Sequence, residues 1–233
     1  MRKEEQLNGK TIVVVGEASD ICIVQPLERR ELALLQNELN QINIEADGTE
    51  YLFVGMEITD WNGDLSPWES KAVFGNKVFS GNATTTLRFI EEQLLPYLQV
   101  KYGLRDDTRY LLGGYSLAGL FALWTSLQTD LFTGIAAASP SVWYNNWDLY
   151  ASRHTTKAKA VYLSLGDAEA SANHPILSKT GTNIEKLHQQ MREQLGAEHC
   201  VFEWNKGGHF QFPEIRTGKG FGKLIKIIKT ARL

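Results

Sequence analysis

Apolar positions along the 233-residue chain fall into two rhythms. Short runs rich in Val, Ile, Leu and Tyr read as strands, and longer stretches with apolar residues three or four apart read as helices with one buried stripe. Two strand-like runs open the chain, Thr11–Val15 and Ile21–Gln25. The "GEASD" between them carries the Gly and Asp expected of a hairpin loop, and Pro26 should end the second run. Between Glu28 and Ile42, Leu32, Leu35, Leu39 and Ile42 share one helical face. Tyr51 to Met56 is a continuous apolar run, as in a strand buried on both faces of a parallel sheet.

From Glu57 to Gly81 the pattern becomes loop-like, punctuated by Gly63, Pro67 and Gly75 but holding Trp61, Trp68 and Phe74. Helical periodicity returns over Thr85–Lys101, where Pro96 predicts a kink. Strand and helix then alternate: strand Arg109–Gly113, apolar helix Leu117–Leu127, strands Gly134–Ala138 and Ala160–Leu165, helix Asn183–Leu195, strand Cys200–Trp204 and helix Phe221–Lys229. Parallel crossovers need connections long enough to cover the sheet. The alternation therefore predicts an α/β fold with a mainly parallel sheet, helices on both faces and an antiparallel hairpin at the N-terminal edge. No repeat, low-complexity tract or linker interrupts it, so residues 1–233 are expected to form a single domain.

Composition narrows the functional classes. The chain is 43% hydrophobic and 22% charged, with a formal net charge of −3, which supplies no basic surface for nucleic acid or an anionic membrane. Its polar N-terminus and the short apolar run after it fit neither a signal peptide nor a membrane span, so a cytoplasmic location is expected. Cys22 and Cys200 lie in separate strand-like contexts and read as reduced, buried thiols; no zinc-ligand spacing is present.

Candidate chemistry sits beyond the carboxyl ends of the predicted strands, the working edge of an open parallel sheet. Ser116 follows one strand, and "SPSVWYNNW", "GDAEAS" and "NKGGHF" follow the next three. A serine hydroxyl needs a base within hydrogen-bond reach and a third group to orient that base. His209, freed by Gly207 and Gly208, is the candidate base. Two carboxylates compete for the acid: Glu169, three residues after Gly166, is preferred, and Asp167, directly after that glycine, is the alternative. Serine, then acid, then histidine is the chain order of the α/β-hydrolases.

The local text "GGYSLAGLF" offers G-x-S-x-A, one methyl away from the G-x-S-x-G of a serine at a strained strand-to-helix turn. On its own such a string is more often close packing than catalysis, and the other strand ends supply the context. Leu117 N–H, at the start of the helix, is the expected first oxyanion donor. A second donor is assigned to a turn at Gln25–Leu27, with Gln25 as the candidate because Pro26 has no N–H. Trp61, Trp68, Trp143 and Tyr144 are candidate walls of an apolar acyl or aromatic pocket, with core burial as the competing role. His154, His174, His188 and His199 lack comparable context, and Lys219, Lys223, Lys226 and Lys229 read as a solvated helix face.

With these residues in place, the chain resembles the Putative esterase family of α/β-hydrolases, the branch holding esterase D and enterochelin esterase-like proteins. The resemblance rests on "DWNGDLSPW", "GGYSLAGLFALW", "AAASPSVWY", "VYLSLGDAEAS" and "FEWNKGGHFQFPEIRTGKGF", reaching from about Asp60 to the C-terminus. It implies an α/β-hydrolase fold and a serine esterase that cleaves a small-molecule ester through an acyl-enzyme, without metal or organic cofactor. Ser116 and His209 carry over directly; the acid carries over less directly, because some siderophore-esterase relatives rely mainly on a Ser-His pair. The chain departs from the pattern at Ala118 and in a shorter region before Tyr51, which counts against a siderophore substrate. Two other uses of the same residues stand beside hydrolysis: a catalytically silent binding module, and transfer of the acyl group to an acceptor other than water.

Overall fold

The charged N-terminus, "RKEEQL", forms a strand, and its charges suit an edge exposed to water. A computed structural model of the chain describes residues 2–73, 75–170 and 177–231; Phe74 and His174 lie outside the described residues. Strand β1 (Arg2–Leu7) pairs antiparallel with β2 (Lys10–Val15) across Asn8 and Gly9, whose φ values of 47° and 84° are the positive pair a tight two-residue hairpin requires. This corrects the expected hairpin between the two apolar runs. After β3 (Ile21–Leu27) comes a 3-10 turn, then α1 (Leu35–Ala46), and β4 (Leu52–Glu57) inserts between β2 and β3. The apolar β4 takes a neighbour on each side, and charged β1 takes the edge.

Strand β3 also runs past Pro26. Its pairing with the later strand β7 stops at Val24, whereas pairing with β4 continues through Leu27. A residue without an N–H is tolerated where one of the two ladders has already ended.

Beyond β4 lie a short helix α2 (Trp61–Asp64), a two-stranded β5 (Glu69–Ser70) and β6 (Phe79–Ser80), then α3 (Ala83–Phe89) and α4 (Leu95–Tyr102). The predicted kink is a π turn, Ile90–Leu94, placed just ahead of Pro96, whose missing N–H interrupts the helical ladder. The alternating half follows as β7 (Arg109–Tyr115), α5 (Leu117–Gln128), β8 (Phe132–Ala138), α6 (Trp147–Ala151), β9 (Ala160–Gly166), α7 (Thr180–Leu195), β10 (Cys200–Asn205) and α8 (Pro213–Ala231). The eight-stranded sheet runs β1-β2-β4-β3-β7-β8-β9-β10, parallel from β4 onward.

Two hydrophobic cores lie on opposite faces of this sheet. Helix α5 is buried from Leu117 to Leu127, so it shows no polar stripe. On the other face α8 lies along α1, burying Phe221, Leu224, Ile225 and Ile228, each worth about 1.5–3 kcal/mol. Helix α8 begins eight residues before the predicted Phe221 because its glycines permit contact rather than break the helix. A Cβ on Gly218 would stand 2.6 Å from the Glu38 carbonyl, and one on Gly222 would stand 2.9 Å from that of Ile42. Cys22 and Cys200 are buried free thiols, and no helix among the described residues is long and apolar enough to cross a membrane.

Candidate active site

Strand β7 ends at Tyr115 and α5 begins at Leu117, so Ser116 alone makes the turn, at φ 56° and ψ −117°. A non-glycine residue holds such a conformation at a cost of ~1–3 kcal/mol, which the surroundings must over-determine. Here they do: Ser116 N–H donates to the Ala138 carbonyl (3.1 Å), and its own carbonyl accepts from Leu120 (3.1 Å) and Ser141 (3.0 Å). The spelling G-x-S-x-A follows from packing. A Cβ on Gly114 would lie 2.6 Å from the Ala118 Cβ, so only one of the two positions can carry a side chain.

His209 stands on the loop after β10, with Nε2 3.0 Å from Ser116 Oγ although 93 residues separate them. Its Nδ1 lies 2.7 Å from Glu169 Oε2. The other oxygen of Glu169, Oε1, accepts from Gly166 N–H (2.9 Å), the Ser139 hydroxyl (2.8 Å) and Arg216 Nη1 (3.1 Å). Burial by itself raises the Glu169 carboxyl, but hydrogen bonds from His209, Ser139 and Gly166, with the His209 charge, outweigh it and hold the group below its ordinary value. Glu169 is thus a carboxylate at neutral pH. Because a carboxylate only accepts, the neutral imidazole that fits this geometry has its proton on Nδ1, which leaves Nε2 to accept from Ser116.

Asp167 lies outside this chain of bonds. Its side chain is exposed, and Oδ1 accepts from Gly207 N–H at 2.7 Å.

A cavity of about 590 Å³ opens onto Ser116 and His209, walled by Trp61, Phe79, Leu117, Pro140, Trp143 and Phe210. Two of the four expected wall residues, Trp61 and Trp143, face it; Trp68 and Tyr144 stand behind. Trp68 packs on Tyr150 with ring centroids 5.0 Å apart, and its indole N–H donates to the Asn145 carbonyl. Tyr144 is 3% exposed, donates its hydroxyl to the Trp68 carbonyl at 2.6 Å and supports Phe79 edge-on. Gln25 is likewise displaced from its expected role. It lies within β3 opposite Gly55, not in a turn, with its side chain turned to Glu38, and it does not line the cavity. Residue type marks these side chains as aromatic or polar, whereas the register of their elements decides where they point.

Four contributors carried no sequence expectation: Tyr115, Ser139, Ser141 and Arg216. Ser139 and Ser141 sit in "SPSVWY" directly after β8, the next working end beside Ser116, and that position was the available signal. Ser141 Oγ lies 3.3 Å from Ser116 Oγ, and Ser139, at φ 42°, is a second strained residue. An arginine on the mostly apolar, glycine-rich face of α8 was the signal for Arg216, which is 3% exposed. Among the described residues no group of three or more His, Cys, Asp and Glu converges as metal ligands do.

The sheet order, the helices on both faces and a serine at the strand-to-helix turn after β7 define an α/β-hydrolase fold. Solved structures agree. The chain is similar to an IroE-like serine hydrolase from Shewanella oneidensis (TM-score 0.73, 20% identity, 97% of this chain and 80% of that one). It is also similar to the siderophore hydrolase EstA from Aspergillus nidulans (0.70, 18%, 97% and 93%) and to the enterobactin esterase FES from Shigella flexneri (0.64, 14%, 99% and 59%). At these identities the likeness is one of fold. No curated protein matches the chain. The chain belongs to the family described as Putative esterase, whose model matches residues 36–212, and is with it a carboxylic ester hydrolase.

Proposed function

We propose that this esterase works through Ser116 as nucleophile, His209 as general base and acid, and Glu169 as the group that orients and charges His209. The observation that carries the reading is the unbroken line from Glu169 Oε2 through both imidazole nitrogens to Ser116 Oγ, at 2.7 and 3.0 Å. His209 Nε2 takes the hydroxyl proton as Oγ adds to the ester carbonyl. The oxyanion is held by Leu117 N–H, at the start of α5, where the first N–H groups have no helical partner. With Gln25 away from the cavity, the second donor is assigned to the segment entering α2, where Trp61 and Asn62 line the same cavity as Ser116 and Leu117. Collapse expels the alcohol, which leaves with the proton from Nε2. Water then gives a proton to Nε2 and attacks the acyl-enzyme, and the departing serine oxygen recovers that proton.

The walls support a choice of substrate. Among the described lining residues Glu169 is the one charged group, already committed to His209 and Arg216, and no Lys or Arg faces the space. A neutral ester with an apolar or aromatic part suits these walls, and an anionic acyl group finds no Lys or Arg among the described lining residues. The tests are direct. Ser116→Ala is expected to lower turnover of a short-chain p-nitrophenyl ester by roughly 10⁴-fold or more, at an unchanged thermal midpoint, and to abolish labelling by a fluorophosphonate. A variant that turns over at the wild-type rate sinks the mechanism.

A further inference from the structure

We propose that Arg216 is a positioning residue that clamps the acid and the base of the site in register; the inference rests on Glu169 being the acid. Arg216 lies in the first turn of α8. Its Nη1 is 3.1 Å from Glu169 Oε1, 3.1 Å from Tyr115 Oη and 3.3 Å from Ser139 Oγ, and its Nη2 is 3.1 Å from the Lys206 carbonyl. These four partners come from four working ends: the loop after β9, the last residue of β7, the residue after β8 and the loop after β10. Tyr115 extends the cluster by donating its hydroxyl to the His209 carbonyl at 2.7 Å. One guanidinium therefore touches the acid, the loop that carries the base and the residue before the nucleophile.

The chemistry needs this arginine's shape as well as its charge. A planar fork donates in several fixed directions at once, whereas an ammonium donates around a single point. With Oε1 filled by Arg216, Ser139 and Gly166 N–H, Oε2 alone is left to face His209. The backbone accommodates the same cluster. A Cβ on Gly166 would collide with the Gly207 carbonyl, stand 2.7 Å from Glu169 Oε1 and stand 3.0 Å from Arg216 Nη1. Ser139 holds its hydroxyl in place from a strained φ. A buried guanidinium is costly unless its donors are met, and groups of the site accept from both terminal nitrogens here.

Two effects follow. The carboxylate cannot rotate away from Nδ1 when His209 becomes charged. The guanidinium charge, 3.1 Å from Oε1, also disfavours protonation of the Glu169 carboxyl, which the site holds below its ordinary value. Among the described residues the other ionisable group in contact is Tyr115, which burial pushes up to about 12, so it remains a neutral hydroxyl.

The experiment compares pH profiles of kcat/KM for Arg216→Met and Arg216→Lys on one p-nitrophenyl ester. Arg216→Met is expected to lose roughly 10²-fold in kcat at little-changed KM, with the acidic limb displaced to higher pH. Arg216→Lys should lose less and leave that limb in place, because the charge remains. Glu169→Gln combined with Arg216→Met should be no slower than Glu169→Gln alone, since Arg216 acts through Glu169. An unmoved limb in Arg216→Met, or losses that multiply in the double variant, overturns the clamp while leaving the acid assignment standing. Wild-type rates in Glu169→Gln would instead remove the acid assignment itself. Should Arg216→Met fail to fold, Arg216→Lys decides: wild-type kcat there overturns the proposal.

Discussion

Glu38 and Glu169 are both withdrawn from water, Glu38 at 4% exposure and the Glu169 side chain at 8%, yet they end in opposite states. Glu169 has donors on both oxygens, and together they overcome its burial. Glu38, on α1, accepts one hydrogen bond, from Gln25 Nε2 at 3.3 Å, while its Oε1 and the Gln25 Oε1 are buried without a hydrogen-bond partner among the described residues. Burial raises the Glu38 carboxyl well above the ordinary range, and the neighbouring charges of Glu31 and Glu214 push it the same way against Gln25. Burial alone therefore does not decide whether a carboxyl ionises; the number and charge of its donors does.

The sharpest way to break this contrast is Glu169→Gln. It should lower kcat by roughly 10³–10⁴-fold, because an amide presents the wrong hydrogen-bond partner to Nδ1 and cannot balance the imidazolium. Steady-state kinetics on a chromogenic ester measures it, and a loss under about tenfold would show that Ser116 and His209 suffice without an acid. The same substitution tests linkage. The folded Glu169 carboxyl lies below its unfolded value of 4.5, so its contribution to stability is present above that pH and is lost as pH falls through the folded value. Wild type and Glu169→Gln should therefore converge in stability on acidification, as read by urea midpoints.

How far the sequence reaches follows the same division between a residue's type and its surroundings. Periodicity placed every strand from β4 to β10 within a few residues, apart from the two-residue β5 and β6, because parallel strands buried on both faces are spelled as continuous apolar runs. It failed at β1, where six mostly charged residues leave no apolar signal, although Asn8-Gly9 was a legible hairpin turn. It failed again at the start of α8, where Gly218, Gly220 and Gly222 read as breakers but serve close packing on α1 and Tyr162. In the site, chain order beyond the strand ends drew attention to Ser116, Glu169 and His209. Trp68 and Tyr144 were misplaced because residue type says nothing of which way a side chain points from its element, and Gln25 because β3 runs on to Leu27 where a turn was expected.

The stability half of the contrast is expected to be smaller and opposite in sign. Glu38 has a folded value above its unfolded one, so it favours the fold most below pH 4.5, and that support is lost as pH rises through the folded value. Glu38→Gln removes the titration and brings an amide N–H within the neighbourhood of the unmet Gln25 Oε1. The variant should be more stable than wild type by roughly 1–3 kcal/mol at pH 8 and about equal near pH 4, read by thermal or urea unfolding. A variant that is less stable at pH 8 would mean that Glu38 has a partner its surroundings do not reveal.

The smallest effect belongs to Asp167, two residues from Glu169 in sequence and on the other side of the contrast. It is exposed, and its contribution is one acceptor for Gly207 N–H, at the root of the loop that carries His209. Asp167→Asn retains an acceptor oxygen and loses only a solvated charge, so kcat should stay within about twofold of wild type. Asp167→Ala frees the Gly207 N–H to water and should cost no more than roughly fivefold, through looser placement of His209 rather than through its charge state. The two substitutions thus separate holding the loop from charging the base. If Asp167→Asn instead fell by 10²-fold or more, with Glu169→Gln near wild type, the acid role would pass from the buried carboxylate to the exposed one.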